Sequence, residues 1–220
     1  MTTITRNPFH CHGYILKGEQ NKVLVVDPGS AVNLYTPKIL AHHPSSVIIT
    51  YTHGHVDHIA YGQALRLALE ATGIAVSSYA NKEDSHYFGH MGQEKFSNSL
   101  KYFRLAPYYQ GAGIPSIDHF LNDGDAIPFE DFKVTLVPGH SPGCNLFISA
   151  NHKIVFSGDV LFAGGGIGRT DFEDGNEPAM IDSIRKIFTT IPLVYTFFPG
   201  HGSSFTLENE QKYHHDLLKD

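Results

Sequence analysis

Short apolar runs alternate along this chain with Gly- and Pro-rich punctuation, and most of the runs have the length of a strand. Residues 22–26 are predicted as the first clear strand, closed by Asp27-Pro28-Gly29, and residues 47–50 as a second, rich in β-branched side chains. From 59 to 71, Leu65, Leu67, Ala68 and Leu69 fall on or near one side and Gly73 follows, which predicts a helix. Residues 74–79 return to strand. The period is then lost between 81 and 118, where Tyr, Phe and Gly mix with Lys95, Lys101 and Arg104, and this segment reads as a partly helical excursion. Strands resume at 126–129, 133–137, 145–149 and 154–157. Met180, Ile181, Ile184, Ile187 and Phe188 predict a helix over 177–190, with Pro178 in its first turn, and 194–198 is a last strand. Two strand-rich portions, about 1–118 and 119–220, each carry a helix. That pattern is expected of one α/β domain, 1–220, with its sheets covered by helices.

Composition narrows the class. Hydrophobic residues make up 41% of the chain, with 15 Phe and 11 Tyr, enough to fill a core and to exclude wholesale disorder. A formal charge of -6 disfavours a nucleic-acid-binding face. No apolar stretch approaches the length of a membrane span, so no membrane association is expected. The first residues show no apolar leader core, and Cys11 and Cys144 alone build no disulfide framework; both features predict a cytoplasmic protein. The 15 histidines are the anomaly.

Four apolar runs end alike. Residues 47–50 lead into Thr52-His53-Gly54-His55-Val56-Asp57-His58, 134–137 into Pro138-Gly139-His140, 154–157 into Gly158-Asp159, and 194–198 into Pro199-Gly200-His201. A strand followed by Gly and then His or Asp places a polar side chain on a rim loop, where rigid sheets hold functional groups. In an extended segment His53 and His55 point the same way, whereas Asp57 and His58 come where a helix begins. Asp57 also suits the N-cap of that helix. Imidazole and carboxylate suit zinc, iron or manganese without a thiolate, and three ligands per metal leave room for water, as in catalytic sites. The remaining ten histidines read as solvated or locally bonded, His12 being the one nearest a strand start. Cys144 reads as a small packed side chain.

These motifs, in this order, resemble the metallo-β-lactamase superfamily, and the segments Ile167-Gly168-Arg169-Thr170-Asp171-Phe172 and Pro199-Gly200-His201-Gly202 resemble its compact glyoxalase II-like hydrolases. The resemblance implies an α/β fold, a four-layer αββα sandwich. It implies two divalent metal ions, zinc foremost and iron or manganese as alternatives. His53, His55 and His140 would hold the first, Asp57, His58 and His201 the second, with Asp159 bridging. The implied activity is hydrolysis of a small-molecule thioester such as S-(2-hydroxyacyl)glutathione by a metal-bridging hydroxide that Asp57 helps to orient.

Arg169 and Asp171 are expected either to fix the Asp159 loop or to form a plain salt bridge. Tyr61 is expected near the mouth of the site. Lys101 and Arg104, on the excursion, are expected to meet substrate carboxylates, beside aromatic Tyr87, Phe88, Tyr102, Tyr108 and Tyr109. With about 19 residues after His201, no helical C-terminal domain is expected, which separates this chain from full-length glyoxalase II enzymes. The alternative within the superfamily is a mononuclear-iron persulfide dioxygenase, which Pro138-Gly139-His140-Ser141-Pro142-Gly143-Cys144 also resembles. Its iron would be held by His53, His140 and Asp159. The sequence leaves the oligomeric state open.

Overall fold

Residues 1–218 are described by a computed structural model. Among the described residues, eleven strands form two sheets. The first holds β1 (Thr2–Ile4), β2 (Gly13–Lys17), β3 (Lys22–Val26), β4 (Ser46–Thr50), β5 (Ala75–Asn81) and β6 (His119–Leu121), in that spatial order. The β1–β2 and β2–β3 pairs are antiparallel, whereas β3 through β6 run parallel. The second has the order β11 (Phe205–Thr206), β10 (Thr196–Pro199), β9 (Ile154–Gly158), β8 (Asn145–Ser149) and β7 (Lys133–Leu136), with one parallel pair, β9–β10. Helices α1 (Val32–Leu40), α2 (Val56–Ile59), α3 (Gly62–Glu70), α4 (Gln93–Tyr102), α5 (Glu177–Thr190) and α6 (Leu207–Glu210) complete the fold.

The layers follow from which face of each strand is apolar. On β3, Val23 and Val25 pack outward with Tyr35 and Ile39 of α1 and Leu65 and Leu69 of α3. The alternate residues Leu24 and Val26 point inward and meet Phe132, Phe147 and Phe156 of the second sheet. A strand buried on both faces reads as an unbroken apolar run, as β3 and β4 do. On the far side Met180, Ile184 and Ile187 of α5 cover Val155 and Phe197. The result is an αββα sandwich, with each large inward side chain contributing about 1.5–3 kcal/mol.

Several expected elements differ. Residues 126–129 form no strand: Ala126 makes a single antiparallel bridge to Lys133, while Ile127 and Phe129 plug the space between the sheets. The helix expected over 59–71 is two helices, because the chain breaks at Tyr61 (φ -110°, ψ 7°), whose N–H donates to Pro28 O. The last long strand starts at Thr196, two residues later than expected. The division between sheets falls after β6, not at 118. Strands β1 and β2 and helix α1 went unread: β1 has three residues, and α1 carries Pro37 in its interior.

The ends of β3, β4, β9 and β10 open at one rim. The pairing of Pro199 with Gly158 shifts register there, and Gly200 N donates to Gly158 O at 2.8 Å. Gly158 has φ 48° and abuts Thr52, so a side chain there would strike the threonine. The strand can turn into Asp159 only through glycine.

Candidate metal centre

The rim brings all seven expected donors together. Ring or carboxylate atoms of His53, His55 and His140 lie within 4.8 Å of one another, and so do those of His53, His58 and Asp159. A further set unites Asp57, His58 and His201 with Cys11, a residue outside the expected donors. His201 Nε2 stands 3.3 Å from both Asp57 Oδ2 and Asp159 Oδ2. His140 Nε2 is 3.7 Å from Asp159 Oδ2, and His58 Nε2 is 3.3 Å from Asp159 Oδ1. Asp159 therefore touches both groups.

The imidazoles are aimed by their far nitrogens. His58 Nδ1 donates to Asp27 Oδ2 at 2.9 Å, His140 Nδ1 to Arg169 O at 2.7 Å, and His201 Nδ1 to Phe9 O at 3.0 Å. Thr52 Oγ1 donates to Asp27 Oδ2 at 2.6 Å and sits 3.2 Å from His53 Nδ1, so Asp27 governs His53 through the threonine. A neutral imidazole that donates from Nδ1 presents a lone pair at Nε2. His53 Nε2, His58 Nε2 and Asp159 Oδ1 are buried without a well-formed hydrogen bond. His55 Nδ1 and His140 Nε2 face each other at 2.8 Å. Buried, convergent lone pairs without donors fit a cation, and nitrogen and carboxylate oxygen suit a divalent metal.

The electrostatics agree. Burial and the neighbouring imidazoles, His58 first, hold His53 well below the usual histidine range. Burial, then His140, brings His55 down to about 3. Around the second group burial opposes charge, but Cys11 and the carboxylates of Asp159, Asp57 and Asp27 raise His58 well above its usual value. His201 rises to about 9 against burial, through hydrogen bonds to Asp159 and Asp57. Burial works to raise Asp159, yet His58 and His201 hold it well below the carboxylate range. One group thus remains neutral and electron-rich, and the other demands positive charge.

Two residues that the sequence reading missed hold this arrangement. Asp27 is one, at the end of β3. Asp84 is the other: it is fully buried and accepts from Gly54 N at 2.8 Å, Ser141 Oγ at 2.8 Å and Gly143 N at 2.6 Å. It ties the loop of His53 and His55, from the first sheet, to the loop of His140, from the second. Asn145 Nδ2 adds a bond to Thr52 O at 2.6 Å. The glycine of Pro199-Gly200-His201 has no room for a Cβ, which would meet Asp159 Oδ1 and His58 Cε1.

The other expected contacts need correction. A cavity of about 700 Å³ opens over the centre, and neither Tyr61, Lys101 nor Arg104 lines it. Tyr61 is buried beneath the excursion, its hydroxyl donating to Tyr108 O and Gln110 O, whereas Lys101 and Arg104 face solvent. Of the expected aromatics Tyr87 and Tyr102 line the cavity while Phe88, Tyr108 and Tyr109 do not, and Phe9, Phe103 and Phe172 join its wall, with Phe103 edge-on to both of the others. Arg169 and Asp171 pair through two 2.8 Å bonds at the surface, and Arg169 lies over the Phe172 ring. It is the Arg169 carbonyl, not its side chain, that orients His140. Cys144 packs into the apolar cluster under α5 as expected, and His12 braces the last loop through Gly202 O. No helix among the described residues is long and apolar enough to cross a membrane.

Comparison with known proteins agrees with this fold. Hydroxyacylglutathione hydrolase GloC of Haemophilus influenzae is 30% identical over 202 residues, covering 88% of this chain and 86% of its own. The human mitochondrial persulfide dioxygenase ETHE1 is 34% identical, but over 100 residues, 43% of this chain and 39% of its own. Among solved structures, the B3 metallo-β-lactamase BLEG-1 superposes with a TM-score of 0.79 at 24% identity, over 100% of this chain and 99% of that one. Residues 6–201 match the metallo-β-lactamase superfamily profile, and with these donors at the rim of an αββα sandwich the chain belongs to that superfamily.

Proposed function

We propose that this metallo-hydrolase cleaves a small-molecule thioester of the S-(2-hydroxyacyl)glutathione class at a binuclear centre, with zinc the preferred metal. The observation that carries the reading is the carboxylate of Asp159, set against His140 on one side and His58 and His201 on the other. His53, His55 and His140 would hold one ion, and Asp57, His58 and His201 the other. A bound divalent ion supplies Lewis acidity, lowering the pKa of water and polarising a carbonyl oxygen. The chain does the rest. Asp57, which lines the cavity, would accept a water proton and aim the oxygen at the acyl carbon. Asp27, Arg169 O and Phe9 O keep Nδ1 of His58, His140 and His201 protonated, so that none of these rings turns away. The edge-to-face wall of Phe9, Phe103 and Phe172 shields the reacting ester from bulk water. A thiolate leaves readily, so no strong acid is needed. The two cations at the cavity, Lys95 and Arg169, are engaged by Asp174 and Asp171, which favours a substrate held by its apolar part over one gripped by carboxylates.

The persulfide dioxygenase reading needs one metal and leaves Asp57, His58 and His201 without a task. Purified protein with S-lactoylglutathione should lose the thioester absorbance at a rate that Asp57→Ala and His140→Ala reduce by at least ~1,000-fold. Oxygen uptake with glutathione persulfide and no thioester loss would overturn the proposal.

A further inference from the structure

Cys11 sits on the loop between β1 and β2, fully buried, and its surroundings are not those of a packing residue. Cys144, the other cysteine, lies among Leu146, Val160 and Met180 in an apolar cluster. Cys11 belongs to none of the three apolar clusters. Its sulfur instead lies within 4.8 Å of donor atoms from Asp57, His58 and His201. The thiol has a distant backbone acceptor, His12 O at 3.8 Å, and a side-chain contact with His58. His58 Nε2, fully buried and without a proper hydrogen bond, faces the same point.

The loop is built to hold the sulfur there. Asn7 grips Cys11 from both sides, its Oδ1 accepting from Cys11 N at 2.9 Å and its Nδ2 donating to Cys11 O at 3.0 Å. The flanking residues dock on the His201 loop: Phe9 O accepts from His201 Nδ1, and His12 N donates to Gly200 O at 2.7 Å. A cysteine fixed by its backbone, with its sulfur among two imidazoles and a carboxylate, has the donor chemistry of a zinc site.

We propose that Cys11 is a thiolate ligand of the second metal position, joining Asp57, His58 and His201. The inference rests on the binuclear reading above. Metal binding displaces the thiol proton to solvent, and one S–metal bond forms. The two positions then differ in kind. Three imidazoles beside Asp159 would leave the first open to water, whereas Cys11, Asp57, His58 and His201 beside Asp159 would leave little room for water at the second, and the thiolate would favour zinc, cadmium or cobalt over manganese.

The test uses the full chain, stripped with a chelator under reducing conditions and titrated with cobalt(II). Wild type should take up two equivalents and show a near-ultraviolet sulfur-to-cobalt charge-transfer band. Cys144→Ser should keep the band. Cys11→Ser should lose it and bind its weaker equivalent at least ~10–100-fold less tightly. Should Cys11→Ser not fold, the band in Cys144→Ser decides alone, because the chain has only two cysteines. Two bound cobalt ions without the band, a band that survives Cys11→Ser, or one lost in Cys144→Ser overturns the thiolate ligand and leaves the metal centre standing. A wild type that binds no cobalt overturns both.

Discussion

At the scale of the residue, the donors were legible and their supports were not. His53, His55, His140 and His201 announce themselves as histidines next to a glycine at strand ends, a local signal. Asp84 has no such signal. It lies in a polar stretch of the excursion, and its partners Gly54, Ser141 and Gly143 are 30, 57 and 59 residues away. Cys11 is equally silent, because only the folded loop brings it to the donors. Asp84 is the more exposed to test. Burial raises its pKa even as three hydrogen bonds pull it down, so removing the carboxylate strands two buried N–H groups and a hydroxyl. Asp84→Ala should cost about 2–4 kcal/mol in urea unfolding, beyond what an exposed Asp→Ala costs. Its metal affinity should fall as well, since the two ligand loops lose their common tie.

At the scale of the element, the excursion and the 169–174 loop meet over the cavity. Lys95 of α4 binds Asp174 at 2.7 Å, and the Tyr87 hydroxyl donates to the same oxygen at 2.6 Å. Burial opposes ionisation, but Lys95, Tyr87 and His86 bring Asp174 down to about 2. Because the folded value lies below the ordinary carboxylate value, the tie is whole above about pH 4 and is lost as the pH falls towards 2. In chelated protein, Asp174→Asn should be about 1–2 kcal/mol less stable than wild type above pH 4, with the gap closing between pH 4 and 2. Equal pH dependence of the two unfolding midpoints would refute the tie. The same pair of elements sets the substrate wall. Phe172→Ala should raise KM for an apolar acyl thioester roughly 10-fold, the value of one buried ring face, whereas Lys101→Glu and Arg104→Glu should leave it unchanged. The excursion's period was unreadable because its order comes from contacts such as Lys95–Asp174 rather than from an apolar stripe of its own. Helix α5 was readable to the residue, since Asn176 caps it, Pro178 opens it and its apolar side faces one sheet.

At the scale of the whole molecule, the sandwich was recognisable from strand-end motifs, while its edges were not. β1, β6 and β11 have two or three residues each and acquire strand geometry only by pairing. The donors come from both sheets, so an ion at the rim joins the halves. Adding a chelator should lower the thermal midpoint by several degrees, and readdition of zinc should restore it. The loop before β2 gives that coupling an outward sign. Phe9 and His12 of this loop, and Tyr14 just inside β2, all bond the strand end and loop at Pro199, Gly200, His201 and Gly202. Arg6, a few residues upstream, is exposed. Whatever steadies His201 steadies the peptide that a protease must unfold to cut there. The rate of tryptic nicking after Arg6 should therefore slow on zinc addition, so that the amino-terminal strap serves as a gauge of how full the centre is.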